Sequence, residues 1–523
     1  MNFTDCLIRR TKEYSTLLKS MKDNISPVCV TGLCRAAKSH IISALPDDLH
    51  RRAVAVVADE GAAIKLKEDL TACGKGAVIF PARDLSLRDA HGISHEYESA
   101  RTGVLSRILK GENITIIATP DALCTYTIPP QKLADICVTL SVGSEIEMKK
   151  LLEILVSGGY TAVESVESAG QFAHRGGIID IFTPDSDKPC RIEFWGDEVD
   201  GISLFDVSSQ RRTDTIEQIT ITPAREIIFP DHTEFAKKLY TFAQNCKDAG
   251  AREIILKDCD RARDGILPAN IDKYISLCFD RLCTVFDYFE NPVFFIDEQN
   301  RIFERLNSFY TINSELISGL LEEKMLTKGL NDFFIDRGEF LNKIQSDPCV
   351  SLEAFAVKQD KIAFKNSVTF AARSLSPFSG TAREIADDLA PLTRSKYKVI
   401  LMCGSVRAAR SLCELLSDNG LPAVYSENPL NVPEGSVFVT ASHMPTGVEY
   451  TSIKTAIFTS ARADTARKKR KKYGLKGANI GSLEELHPGD FVVHSVYGIG
   501  QFAGIHKLER DRIIKDYIKI KYQ

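Results

Sequence analysis

The sequence has little net charge and no long apolar run. Its 66 lysines and arginines nearly balance its 70 aspartates and glutamates, for a formal net charge of -4 over 523 residues. This balance excludes binding to nucleic acid through a general positive field, so any DNA contact must be local. No apolar run approaches the ~20 residues of a membrane span, and residues 1–20 lack the apolar centre of a signal peptide. We therefore expect a cytoplasmic protein that has no membrane partner.

Cysteine patterns typical of metal sites are also absent. The fourteen cysteines form no Cys-x-x-Cys pair. The closest spacings, Cys29 with Cys34 and Cys278 with Cys283, lack the nearby histidines that complete zinc sites. We expect reduced, mostly buried thiols and no metal site. A chain of 523 residues has room for about three to five domains, each with its own core.

The first 130 residues alternate short apolar segments with helical patterns. Four of the apolar segments predict buried strands, at residues 27–31, 53–58, 76–80 and 114–118. Strands that alternate with helices in this way form a parallel sheet covered by helices on both faces. The pattern therefore predicts a doubly wound α/β domain.

A near match to a phosphate-binding loop follows the first predicted strand. Residues 32–39 read Gly-Leu-Cys-Arg-Ala-Ala-Lys-Ser, which departs from the pattern Gly-x-x-x-x-Gly-Lys-Ser only at Ala37. In a working loop, backbone N–H groups from Gly32 onward surround the phosphates, Lys38 contacts their oxygens and Ser39 holds magnesium. Ala37 places a Cβ where the backbone must bend closely around phosphate.

A second part of such a site lies in residues 291–298, an apolar strand that ends in Asp297 and Glu298. In motor ATPases such a strand delivers an aspartate to magnesium and a glutamate to the attacking water. Either these carboxylates form a working ATPase site with Lys38 and Ser39, or the site is a relic that no longer binds nucleotide. The substituted glycine and the lack of a recognisable arginine-finger segment favour the relic, so we expect no cofactor for this chain.

Residues 170–206 carry the most specific internal pattern. Apolar and charged residues alternate over 191–195 before a Gly-Asp pair, which predicts an antiparallel hairpin with one solvent-exposed face. On propensity alone, Arg175 is an ordinary surface arginine beside a glycine turn. Trp195, the sole tryptophan, is interpreted in the same way as a structural residue and not a binding anchor.

The end of the sequence predicts short strands joined by glycine turns, and hence a small open β-barrel of the SH3/Tudor type. Gln523 falls inside a predicted strand, which leaves backbone groups without the next strand that they need. We therefore expect the front part of a longer protein and a truncated barrel. Upstream, the cations at 467–472 predict a solvated linker in preference to a DNA-binding segment.

The pattern at 170–206 resembles a module shared by the bacterial transcription-repair coupling factor family and the excision-repair protein UvrB. In both, this small α+β domain is the docking surface for UvrA. The resemblance implies that Arg175 and Arg191 contact UvrA, which reverses the reading of Arg175 as an ordinary surface residue.

The pattern at 481–523 resembles the RNA-polymerase-interacting domain of the same family. This resemblance implies contact with the polymerase β subunit through Ile505 and Leu508, although a leucine in a barrel strand is more often a core residue. Full-length members use ATP and magnesium to move on double-stranded DNA, and the sequence before Gln523 lacks that motor. The implied function is to bind stalled RNA polymerase and to recruit UvrA to DNA lesions.

A UvrB-type excision protein is the alternative within this resemblance. The segment from Asp84 to Arg101 is too short and too poor in aromatic residues for the long hairpin with which UvrB clamps damaged DNA. The terminal barrel is also absent from UvrB. Both features favour the coupling factor family.

The expected organisation is an α/β multidomain chain in which a small domain is inserted into a degenerate, UvrB-like phosphate-loop domain. We predict the following units: the first part of the phosphate-loop domain at 1–130, the UvrA-docking α+β domain at 131–222, a return of the first domain at 223–371, a small α/β domain at 372–461, a basic linker at 462–480 and the polymerase-interacting domain at 481–523.

Overall fold

A computed structural model describes residues 3–83, 85, 87, 96–228, 232–266, 268, 270–356, 361–427, 429, 433–460, 491–494, 498–510 and 513–521. The architecture is multidomain α/β with parallel sheets. The strands are, in chain order, β1 (Val28–Thr31), β2 (Arg52–Val56), β3 (Ala77–Phe80), β4 (Thr115–Ala118), β5 (Val138–Ser141), β6 (Thr161–Ala162), β7 (Gln171–Arg175), β8 (Ile178–Ile181), β9 (Cys190–Trp195), β10 (Glu198–Phe205), β11 (Arg212–Thr215), β12 (Gln218–Ile221), β13 (Pro292–Asp297), β14 (Cys349–Leu352), β15 (Asn366–Thr369), β16 (Ala372–Leu375), β17 (Lys398–Met402), β18 (Ala423–Tyr425), β19 (Val437–Thr440), β20 (Gly447–Tyr450), β21 (Thr455–Thr459), β22 (Phe491–His494), β23 (Gly498–Arg510) and β24 (Ile513–Lys521).

Helices connect these strands and cover their faces. The α-helices are α1 (Phe3–Ile8), α2 (Lys12–Lys22), α3 (Arg35–Leu49), α4 (Glu60–Ala72), α5 (Glu96–Leu109), α6 (Pro120–Cys124), α7 (Pro130–Ile136), α8 (Met148–Ser157), α9 (His232–Asn245), α10 (Ala249–Arg263), α11 (Ile275–Cys278), α12 (Gln299–Glu322), α13 (Arg337–Gln345), α14 (Ala382–Arg394) and α15 (Val406–Asp418). Short 3-10 helices lie at Ile271–Tyr274, Val285–Tyr288 and Thr451–Ile453.

The first sheet has seven strands in the order β15-β1-β14-β13-β2-β4-β3, and every pairing is parallel. Its strands are apolar because helices bury both faces. Along β2, Val54 and Val56 enter one core, while Ala53 and Ala55 enter the other. The four strands predicted in the first 130 residues are confirmed. Because β1, β14 and β13 are neighbours, their carboxyl ends bring residues 32–38, 353 and 297–298 to one edge of the sheet.

Three strands from residues 223–371 complete this sheet, and only one of them, β13, was predicted from the sequence. The sequence predicts a mainly helical, charged segment over residues 223–371, with one apolar strand at 291–298. The structure confirms that strand as β13 but adds β14 and β15, which pair with β1 on its two sides. Each has only four residues, too few to produce a clear periodic signal.

The second sheet has the order β11-β10-β9-β8-β7-β6, and its pairings are antiparallel except for β6 with β7. One face packs against α8 through Leu151 and Leu155, which join Ile179 and Ile192 in a common core. A separate antiparallel pair, β12 with β5, packs beside it. The β7–β8 and β9–β10 turns lie next to each other, since Phe194 N donates to Gly177 O at 2.8 Å.

The third sheet has the order β16-β20-β21-β17-β19-β18, with parallel strands from β21 to β18. One face carries α14 and α15. The other face packs on α3 of the first sheet, where Ile400, Met402 and Tyr450 join the core around Ile41. Helix α3 is therefore buried between two sheets, which explains why all residues from 36 to 46 except Lys38 are buried. Apart from His40, these buried residues are apolar or small.

The last sheet is antiparallel in the order β22-β23-β24. The predicted basic linker and the start of the predicted polymerase-interacting domain, residues 461–490, lie outside the described residues. All fourteen cysteines are described and are free thiols, half of them buried and half partly buried. Within the described ranges, no helix combines the length and the apolar character needed to cross a membrane.

Candidate functional sites

The near match to a phosphate loop forms a tight strand-to-helix connection. Strand β1 ends at Thr31, and α3 begins at Arg35 after the N-cap residue Cys34. Gly32 adopts a φ of 72°, and a Cβ at this position would lie 2.1 Å from the carbonyl oxygen of Phe370. Glycine is needed here because the backbone is left-handed and touches another backbone segment. The backbone at Phe370 therefore fills the space directly beside Gly32.

Main-chain groups of the protein also form hydrogen bonds with the end of β1 and with the first N–H group of the loop after Gly32. Leu33 N donates to Glu353 O at 3.2 Å, and Glu353 N donates to Val30 O at 2.8 Å. On the other side, Phe370 N donates to Thr31 O at 2.9 Å. The chain therefore continues the sheet on both sides of β1 up to its carboxyl end.

Lys38 lies in the first turn of α3 and reaches the end of β13. Its Nζ donates to Asp297 Oδ1 at 2.6 Å and also to Glu298 Oε1. Burial alone would lower the pKa of Lys38, but the two carboxylates outweigh burial and raise it. Burial likewise opposes ionisation of Glu298, whose pKa is nevertheless held low by Lys38 and by Ala354 N, which donates at 2.9 Å. Lys38 is thus paired with both carboxylates at the end of β13.

The groups expected to hold a magnesium nucleotide have hydrogen-bond partners within the protein in this arrangement. Ser39 is 1% exposed, and its hydroxyl donates to Ala36 O at 2.9 Å instead of facing an open loop. Ala37 is fully buried, and the three charged side chains satisfy one another. Among the described residues, no group of three or more His, Cys, Asp or Glu side chains could hold a metal ion.

Two polar residues beside this cluster were not anticipated from the sequence. Glu353 follows β14 and is buried, and its Oε1 accepts from Gln299 N at 3.0 Å and from Ser351 Oγ at 2.6 Å. Burial raises the pKa of Glu353. Its Oε2 and both amide atoms of Gln299 are buried without a hydrogen-bond partner among the described residues. Glu353 could not be identified from the sequence, because β14 was not predicted and no pattern marks residue 353 as the end of a strand.

Arg175 ends β7 at an exposed turn of the second sheet. It pairs with Ile178 of β8 across a turn in which Gly176 has a φ of 60°. The exposed guanidinium donates to Glu164 O, which orients it without neutralising its charge. A shallow depression lies beside it, lined by residues that include Val163 and His174.

Trp195 lies on the neighbouring turn and corrects the sequence interpretation. Its side chain is 82% exposed at the end of β9, so it contributes little to the core. The 2.8 Å contact between the two turns, from Phe194 N to Gly177 O, keeps them side by side. We call the exposed residues 174–177 and 195–198 the hairpin-tip surface.

Arg191 is placed differently from Arg175. Its Nε and Nη2 donate to the two carboxylate oxygens of Asp180 at 2.7 and 2.8 Å, directly across β8 and β9. Its guanidinium also lies 4.9 Å from the centre of the Phe205 ring. The side chain is 18% exposed. The hydrogen bonds with Asp180 raise the pKa of Arg191, so most of its hydrogen-bonding capacity is used within the sheet.

Ile505 and Leu508 both lie on β23, the central strand of the last sheet. Ile505 is opposite Ile518, and Leu508 is opposite Lys515, both on β24. The side chains of these four residues lie outside the described part of the chain. At the start of β22, Phe491 is 79% exposed.

Two family models match separate parts of the chain, and they define the class of module present. The UvrB interaction domain matches residues 138–227, which include the second sheet and the hairpin-tip surface. The CarD-like/TRCF RID domain matches residues 486–523, which include the last sheet.

Whole-chain relatives are proteins named transcription-repair-coupling factor. The chain is 27% identical over 543 residues to that of Bacillus subtilis (strain 168), with 100% of this chain and 46% of the relative covered. It is 25% identical over 519 residues to that of Staphylococcus epidermidis (strain ATCC 12228 / FDA PCI 1200), with 95% and 43% covered. It is 24% identical over 511 residues to that of Staphylococcus aureus (strain MRSA252), with 94% and 43% covered. The predicted resemblance to the N-terminal part of this family is confirmed, and the chain spans less than half the length of these relatives.

Proposed function

We propose that this chain provides partner-binding modules for transcription-coupled nucleotide excision repair. It binds UvrA through the hairpin-tip surface and RNA polymerase through the last sheet. The observation that carries the proposal is the hairpin-tip surface itself, where an oriented Arg175 and a solvent-exposed Trp195 lie on two neighbouring turns in the region matched by the UvrB interaction domain. Arginine and tryptophan are the residue types that most often dominate protein interfaces.

The two arginines predicted to contact UvrA have different roles in this proposal. Arg175 is exposed and meets the partner directly. Arg191 holds β9 against β8 through Asp180 and keeps the two turns in register, so its removal weakens binding through the shape of the surface. Exposing a large aromatic side chain such as Trp195 to water is unfavourable in free energy. A partner that covers this side chain removes the unfavourable exposure.

Polymerase binding is assigned to β22–β24, and Ile505 and Leu508 of β23 are the proposed contacts with the β subunit. The similarity to the CarD-like/TRCF RID domain at 486–523 supports this assignment. We infer that these strands belong to an SH3/Tudor-like barrel. Movement on double-stranded DNA with ATP and magnesium is proposed only for a full-length protein of this family.

The phosphate-loop segment is proposed to be a relic in which Lys38, Asp297 and Glu298 stabilise the sheet in place of a nucleotide. The domain limits predicted above, with a first domain interrupted at 131–222, are part of this proposal, as is a cytoplasmic location. The second candidate function is an ATPase. Its support is the left-handed glycine at Gly32 followed by a lysine that reaches the carboxylates of β13.

The experiment that tests UvrA binding compares charge reversals at two positions of the second sheet, Arg175 at the end of β7 and Lys188 in the loop between β8 and β9. Arg175→Glu changes the hairpin-tip surface, whereas Lys188→Glu changes the far loop before β9, where Lys188 contacts Asp214 at 3.1 Å. We expect Arg175→Glu to weaken UvrA binding at least about tenfold, with Lys188→Glu close to the original chain. Equal loss in both variants would contradict the assigned surface. Leu508→Arg is expected to weaken polymerase binding alone.

A further inference from the structure

A cleft opens in the third sheet at the carboxyl end of β17. In this sheet β17 lies between β21 and β19, and the three strands are parallel. Helices α14 and α15, which precede and follow β17, cover one face and leave a cavity of about 650 Å³ between their first turns. Small-molecule sites in α/β proteins lie in crevices outside the carboxyl ends of parallel strands, and their volumes are about 300–1,000 Å³.

The lining of the cleft is apolar on its walls and hydroxyl-bearing at its rim. Phe378, Ile385 and Leu412 contribute to the walls, while Ser405 and Ser411 contribute hydroxyl groups. His443 adds one imidazole. The floor includes Cys403, whose pKa burial raises to about 12, so the thiol is uncharged. The described lining contains no Asp, Glu, Lys or Arg.

This lining disfavours a charged ligand. An ion that enters the cleft loses part of its hydration, and the described lining offers no charged side chain to replace it. An anion is disfavoured further because Glu384 lies beside the cleft, where its carboxylate accepts from Thr381 N at 2.7 Å. The hydroxyls of Thr381 and Ser405 already accept from N–H groups of the first turns of α14 and α15, at 3.3 Å in each case.

We propose that this cleft binds a neutral heteroaromatic molecule of nucleoside size. Its flat ring packs between Ile385 and Leu412, and its polar edge meets the hydroxyls of Ser405 and Ser411 and the imidazole of His443. The site is separate from the hairpin-tip surface and from the phosphate-loop segment. The proposal assigns a ligand-binding role to the third sheet, for which the proposed function names no partner.

The test uses the whole chain with adenosine, guanosine and thymidine as neutral probes and AMP as the charged counterpart. We expect at least one nucleoside to bind saturably with a Kd of about 0.1–1 mM, measured by calorimetry and by ligand-observed NMR. AMP is expected to bind more weakly than adenosine. Its phosphate would lie near the carboxylate of Glu384, and the described lining offers no cation to pair with it.

Ala408→Glu places a carboxylate in the cleft at an exposed position of α15, so the variant should fold. We expect it to weaken nucleoside binding at least tenfold, while Ser417→Glu, an exposed position of the same helix outside the cleft, leaves binding unchanged. Lys38→Ala should have no effect on nucleoside binding. The proposal is overturned if no nucleoside binds, if AMP binds more tightly than adenosine, or if Ala408→Glu binds like the original chain.

Discussion

Replacing Lys38 distinguishes a structural ion pair from a nucleotide site. Lys38→Met keeps a similar length but removes the charge that holds Asp297 and Glu298 together. If the lysine stabilises the fold, the variant loses stability without any ligand present. If the lysine serves a nucleotide, the variant loses binding while its stability without nucleotide stays close to that of the original chain.

The expected loss follows from the geometry of the cluster. Removing one partner of a fully buried ion pair costs about 3–5 kcal/mol, because the remaining charge is left unpaired. The Lys38 side chain is 12% exposed and the two carboxylates are 29% and 27% exposed, so water partly compensates for the lost partner. We therefore expect Lys38→Met to lower the free energy of unfolding by about 2–3 kcal/mol.

Urea denaturation of the original chain, Lys38→Met and Lys38→Met/Glu298→Gln measures this loss. The double variant should regain about 1 kcal/mol or more, because Glu298 is then neutral and the unpaired charge is reduced. Magnesium and ATP should leave the melting temperature of all three proteins unchanged. The reasoning is refuted if Lys38→Met is as stable as the original chain and ATP raises the melting temperature of the original chain alone.

Three further predictions concern the loop, the hairpin-tip surface and the joint between α3 and the third sheet. Gly32→Ala should lower the free energy of unfolding by more than about 2 kcal/mol, since its Cβ would meet Phe370 O at 2.1 Å in a left-handed backbone; an equally stable variant would contradict this packing. Trp195→Ala should weaken UvrA binding about tenfold or more with an unchanged melting temperature, because the side chain is 82% exposed. His40 Nδ1 lies 2.7 Å from Tyr450 Oη, and burial lowers the pKa of His40 to about 4. The unfolded chain therefore takes up this proton first, so about 3 kcal/mol of stability, present above pH 6.5, should be lost as the pH falls towards 4. The difference in urea midpoint between the original chain and His40→Phe should shrink as the pH falls from 7 to 4.5. A difference that stays constant with pH would exclude His40 as the cause.

The regular parts of the fold could be predicted from the sequence because their signals are local. The strand that becomes β1 is a short apolar run, and glycine marks its end at Gly32. Lys38 and Asp297 are 259 residues apart in the sequence, and they pair because their segments meet at one edge of the sheet. A phosphate-loop pattern does predict that these two segments meet. What the pattern could not show is that Glu353 and Phe370 arrive at the same edge, since β14 and β15 have four residues each.

The exposed side chains were harder to predict than the strands. An alternating pattern assigns Phe194 and Trp195 to opposite faces, but it does not state which face a helix covers. Helix α8 covers the face that contains Ile192, and this leaves Trp195 in solvent. Arg191 looked equivalent to Arg175 in the sequence, yet only the register of β8 with β9 reveals that Asp180 binds it.

The most direct measurement is capture of UvrA and of the RNA polymerase β subunit by this chain, with ATP binding followed in the same preparation. We predict that both partners are captured, that Arg175→Glu removes UvrA alone, and that Leu508→Arg removes the polymerase subunit alone. No ATP binding is expected at millimolar concentration. ATP binding that requires Lys38, without capture of either partner, would contradict the proposed adaptor role.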